Sequence, residues 1–154
     1  MTIRFSSYSI VLIASLFAQT AQAELSGSGN LKSGEQVYND VCSACHGTGV
    51  AHAPKFKDKE AWAPLIAEGQ DVLTSHAWVG VRAMPARGGN PELKFVEFAR
   101  ATAYMASNAG GDWKDPDSTM MRKIMREAEK RLDKSINDAK AMKKELHRLI
   151  QSTR

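Results

Sequence analysis

Cys42-Ser43-Ala44-Cys45-His46 constrains this chain more than any other stretch: it holds both cysteines and sets a histidine directly after the second. Such a pair could form a disulfide, half of a metal site, or the two thioether anchors of a haem. A structural zinc site would need a second pair of ligands at metal spacing, and the chain has no further cysteine. A thioredoxin-type redox pair would need a strand–helix setting, and no strand pattern appears. His46 therefore decides the reading. One turn of backbone presents two thiols at the separation of the haem vinyl groups, and the adjacent imidazole lies under the iron as proximal ligand. The expectation is one covalently bound haem c, attached through Cys42 and Cys45, with His46 on the iron.

The chain opens as an export signal. Arg4 precedes the apolar run Ile10–Ala18, and Ala21-Gln22-Ala23 has the small-x-small pattern of a cleavage site. Residues 1–23 read as a signal peptide, and the expected location is the periplasm. The run is shorter than the roughly 20 residues a membrane span needs, and nothing later is apolar enough to cross. One compact domain is expected over residues 24–111 and a charged helical tail over 112–154. From residue 24 to 111 there are 8 Lys+Arg against 9 Asp+Glu, and from 118 to 154 there are 11 against 5. The basicity thus belongs to the tail and does not indicate a nucleic-acid-binding domain.

Helical signals run the length of the chain, so the fold class is all-α. Ser33 with Gln36 forms a capping box ahead of a helix that runs toward Cys42. Gly47 and Gly49 end it, and Thr48–Lys57 reads as loop around Pro54. A helix is expected over Asp58–Glu68, beginning at or broken by Pro64, and another over Asp71–Val79. Asn90-Pro91 reads as the cap and first turn of a helix reaching about Ser107. Residues Asn108–Pro116 read as linker, and a long charged helix follows over Ser118–Gln151.

The iron needs a sixth ligand. Met105 falls inside an amphipathic helix, where a methionine usually fills core gaps, and Met120, Met121, Met125 and Met142 lie in the tail. Met84 sits in an irregular Gly/Pro-rich loop, and Pro85 keeps it out of the α conformation. Such a loop can lay a thioether across the open haem face, so Met84 is the candidate axial ligand.

Taken together, the runs Gly34-Glu35-Gln36-Val37-Tyr38, Val41–His46, Ala53-Pro54-Lys55-Phe56, Asp58–Pro64 and Ala83-Met84-Pro85 resemble class I bacterial cytochromes c, most closely the cytochrome c5 family. The resemblance covers Lys32–Ser107. It implies the class I cytochrome c fold and a monohaem electron carrier with His/Met ligation. It also implies that the Pro54 carbonyl accepts a hydrogen bond from His46, and that Gly34 and Tyr38 let the first helix cross the last near Tyr104. Cytochromes c5 often carry another Cys pair after the Met, where this chain has Gly88-Gly89-Asn90, and the family core does not account for the tail.

Trp62 and Trp78 are expected to wall the haem, while His52 and His76 read as loop and helix-surface residues. Arg82 and Arg87 flank Met84 and could face solvent, a haem propionate or an acidic partner. In the tail, Met121, Met125, Ala128, Leu132, Ser135, Ala139, Met142, Leu146 and Leu149 follow alternating steps of four and three. That is a heptad seam, a candidate for a coiled-coil homo-oligomer or for partner docking, against a solvated helix lying on the domain. The expected function is single-electron transfer between redox partners, at least one of them acidic, with no enzyme activity and no nucleic acid. The alternatives are a haem subunit or docking module of an oxidase or dehydrogenase, and a gas sensor or enzyme with an open sixth site.

Overall fold

The computed structural model describes residues 31–153, so the export signal expected over residues 1–23 lies outside the described residues. Ser33 caps α1 (Gly34–Val37) through the expected box: its Oγ accepts from Gln36 N at 3.2 Å, and Gln36 Oε1 accepts from Ser33 N at 2.9 Å. The helix then passes through a π-helical segment, Tyr38–Cys42, before α2 (Ser43–His46) completes it. The wider turn is closed by Ser43 N donating to the Tyr38 carbonyl. Such one-turn widenings inside an α-helix are rare and frequently sit at functional sites.

α3 (Lys59–Ala67) starts at Asp58, whose carboxylate accepts from Ala61 N at 3.1 Å. It neither begins at Pro64 nor breaks there. The carbonyl that loses its partner to a proline lies four residues back, on Glu60, and both residues are exposed, so water can satisfy it. α4 (Gln70–Val79) follows after Gly69.

The helix expected from Asn90-Pro91 begins later. Asn90 Oδ1 instead accepts from Glu92 N at 3.0 Å, and Leu93 N bonds the Asn90 carbonyl. This local turn inserts Leu93 into the core, and α5 (Phe95–Asn108) starts after it. α1 crosses α5 so closely that a Cβ on Gly34 would collide with the Arg100 carbonyl and with Tyr104 Cβ. Beside the crossing, Tyr38, Phe56 and Tyr104 stack, with centroids 4.2 Å and 5.4 Å apart for the two pairs involving Phe56. Among the described residues there is no strand, only an isolated bridge between Val81 and Met84.

The chain does not leave the body at Gly111. Residues 32–154 cluster as one compact unit. Trp113 packs against the core, Gln70 Nε2 donates to the Lys114 carbonyl at 2.9 Å, and Arg100 pairs with Asp115 at 3.5 Å. Composition alone marks this segment as linker, because its anchors come from helices α4 and α5, far back in the sequence. Asp117 then caps the 35-residue α6 (Ser118–Ser152). The first third of α6 lies along α4 and buries Ile124 and Ala128. From residue 132 to 152 every position is exposed.

Candidate functional site

α2, α3, α4, α5 and two loops line a cleft of about 140 Å³, open to solvent on one side. Cys45, His46, Pro54 and Met84 all line it, and the rest of its wall is mainly apolar, including Trp62, Leu65, Leu73, Ala77 and Met105. The π segment carries Cys42 and α2 carries Cys45, and of the two Cys45 lines the cleft. Cys42 is buried against the core, while Cys45 is exposed at the mouth. Burial, with Cys45 nearby as the smaller cause, pushes the Cys42 thiol up to about 11.

His46 is buried at the end of α2. Its Nδ1 lies 2.8 Å from the Pro54 carbonyl oxygen, and the backbone around it is tied down by Phe56 N donating to the His46 carbonyl at 2.7 Å. As Nδ1–H is the donor in that contact, Nε2 keeps its lone pair for a metal, and the carbonyl fixes both tautomer and ring orientation. Trp62 stands behind the ring, its centroid 6.1 Å away, held by its Nε1–H donating to the Lys55 carbonyl at 2.8 Å.

Met84 enters from a tight turn. Val81 N bonds the Met84 carbonyl at 3.1 Å, and Met84 N bonds the Val81 carbonyl at 2.9 Å. Gly80 makes the turn possible: its φ is 97°, and a Cβ there would press on Ala86 N and the Met84 carbonyl. Met105, from α5, lines the same cleft but is 4 % exposed and belongs to the core cluster.

An imidazole nitrogen, a thioether and the Cys45 thiol around an apolar slot, with the Cys42 thiol buried in the core one turn back, make a soft, low-polarity donor set, and this fits a covalently held haem. The chemistry-bearing residues are those the sequence singles out. The sequence gives no sign of the wall residues Val50, Ala51, Leu65, Leu73, Ala77 and Val81, because small apolar side chains carry no motif.

The other candidates lie elsewhere. Trp78 does not line the cleft; it packs edge-on against Phe95 and Phe98, at 4.7 Å and 5.3 Å. Arg87 lies over Trp78 at 4.9 Å and donates to the Pro91 carbonyl at 2.7 Å, so it braces the loop after Met84. Arg82, with φ 53°, lines both the cleft and a neighbouring cavity. His52 is exposed. His76 faces away from the cleft, with Nδ1 3.0 Å from Glu68 Oε2 and Arg131 of α6 nearby. Burial first, then Arg131, lowers its pKa from the usual 6.5.

Known proteins match the region that builds this cleft. The family described as cytochrome C oxidase, cbb3-type, subunit III matches residues 29–105. Cytochrome c-555 of Chlorobaculum thiosulfatiphilum is 41% identical over 80 residues, covering 49% of this chain and 93% of that protein. Cytochrome c-555 of Chlorobaculum tepidum is 37% identical over 110 residues, covering 69% and 97%. Cytochrome c5 of Azotobacter vinelandii is 40% identical over 80 residues, covering 51% and 96%.

Proposed function

Because the chain belongs to the class I c-type cytochromes, close to cytochrome c5, we propose that it is a periplasmic carrier whose haem iron is held between His46 and Met84. It is an electron carrier rather than an enzyme, and its cofactor is one covalently bound haem c. When bound, the haem supplies a one-electron ferric/ferrous couple.

Cys42 and Cys45 are the thioether anchors. His46 would hold the iron through Nε2, while its Nδ1–H donates to the Pro54 carbonyl, which raises its basicity as a ligand. Met84 would hold the haem iron through its thioether, a ligand type that favours the ferrous state and raises the potential. Trp62, Leu65 and Leu73 exclude water from the slot. Export to the periplasm is read from residues 1–23.

The observation that carries this reading is the convergence of Cys45, His46 and Met84 on one apolar cleft, with His46 oriented by Pro54. The visible spectrum of the purified holoprotein tests it. Six-coordinate low-spin bands in both oxidation states, with haem retained through denaturing electrophoresis, are the expected result. High-spin bands with rapid carbon monoxide binding would mean an open sixth site. The basic α6 suggests an acidic redox partner, in which case electron exchange slows as salt is raised beyond about 0.1 M, where charges are screened over about 10 Å.

A further inference from the structure

Beyond Arg131, α6 extends past its own body for about 30 Å with every residue exposed. Its apolar side chains are ordered along one stripe. Leu132, Ile136, Met142, Leu146, Leu149 and Ile150 are between 47 and 67 % exposed. In heptad terms Leu132, Ala139 and Leu146 occupy one seam column, and Ser135, Met142 and Leu149 the other, with Ile136 and Ile150 beside it. Large apolar side chains repeated this way on an exposed helix mark an interface.

We propose that the stripe is covered by the same stripe of a second copy of the chain, running antiparallel, so that two cytochrome bodies lie at opposite ends of a short two-helix joint.

Layer complementarity favours this direction. With Leu132 level with Leu149 of the other copy, Ser135 meets Leu146 and Ala139 meets Met142, so each small residue faces a large one. A parallel pairing would instead stack Ser135 on Ser135 and Ala139 on Ala139 in successive layers and leave a gap between the helices. The flanks agree. Antiparallel pairing sets Ile136 beside Ile150 and Arg131 beside Glu145, each twice by symmetry. Arg131 is held only loosely on its own helix, with Glu127 at 3.8 Å, and its side chain is 35 % exposed. Parallel pairing would put Arg131 against Ile136 and Glu145 against Ile150. Asp138 meets its own copy at the centre, but Lys134 already pairs with it at 2.6 Å. Repulsion between the joined segments is small, since residues 132–152 hold 5 Lys+Arg against 3 Asp+Glu.

The body itself removes the parallel alternative. Ala128, buried beside α4, lies in the same seam column as Ser135, Met142 and Leu149. A parallel partner would carry its own residues 118–131 along that column into space that α4 fills. An antiparallel partner stops short of it, because Ser152 comes level with Glu129, where the body begins.

The test uses the full-length holoprotein. Sedimentation should give twice the monomer mass at tens of micromolar, and Leu146→Asp should return it to monomer with the visible spectrum unchanged. Orientation is read from a Ser135→Cys, Leu146→Cys double variant, oxidised and mapped by peptide mass. Links from position 135 of one copy to position 146 of the other support the antiparallel joint. Links from 135 to 135 overturn it in favour of a parallel coil. A monomeric wild type overturns it as well, even if another helical protein is found on the stripe.

Discussion

Met84 reaches the cleft from a turn closed by its own two hydrogen bonds to Val81, with Gly80 behind it and Pro85 ahead. The side chain is thus delivered by backbone that cannot easily rearrange. Met84→Ala should open the sixth position, lower the reduction potential and admit carbon monoxide while covalent haem is retained. Potentiometry and carbon monoxide difference spectra check this; an unchanged spectrum would shift attention to Met105, the other thioether in the wall. The chemical members of the site were legible in the sequence because thioether attachment and iron ligation admit few residue types at fixed spacing. Cys42, Cys45 and His46 could be singled out for that reason, and Met84 by its Gly/Pro-rich loop. The wall could not be, since Leu65 or Ala77 becomes a cleft residue only through packing between distant helices.

α4 works on two sides. Leu73 and Ala77 face the cleft, and His76 faces α6, so the tail helix docks on the same element that walls the cleft. His76 is surrounded by Glu68 from the end of α3 and by Glu127 and Arg131 from α6, while Arg82 lines the same cavity. Because its folded pKa lies below the ordinary 6.5, the neutral ring is the stable form in the packed state. Its contribution is fully present above about pH 6.5 and is lost as pH falls through the lowered folded value. Thermal stability of the holoprotein should therefore drop below pH 6.5 more steeply than in His76→Gln, as followed by circular dichroism. Element types were readable from caps and periodicity, but three details were not. The late start of α5, the passage of α3 through Pro64 and the π turn each depend on which backbone groups find water or a distant partner.

Across the full fold, the core does not end where the family resemblance ends. Trp113, Ile124 and Ala128 follow Gly111 in sequence yet pack on α4, α5 and the central cluster. The fully buried Ile124 side chain alone is worth about 1.5–3 kcal/mol. A chain ending after Arg131 should keep the melting temperature that the full holoprotein has as a monomer, at concentrations too low for pairing. One ending after Gly111 should melt well below it, though covalent haem can still be attached. Calorimetry on the three lengths checks this, and equal melting temperatures would mean that the docked part of α6 adds nothing. The charge count and the heptad spacing made the tail visible in the sequence. Its division into a docked and a projecting part was not visible, because Ile124 lies outside the seam and α4 alone gives it a pocket.

The π segment Tyr38–Cys42 has a consequence for chain length. A wide turn absorbs one surplus residue locally, so the crossing at Gly34 upstream and the attachment turn downstream keep their angular phase. It behaves like a slack link between two geared parts. A one-residue deletion at exposed Asn39 should let the ladder close as ordinary α-helix with both ends still in phase, and the shortened protein should mature with covalent haem. The same deletion at Ala44, inside the attachment turn, removes the spacing itself and should give none. Haem staining of the two variants after export separates these outcomes, and loss of haem in both would mean that the extra residue is itself part of the geometry.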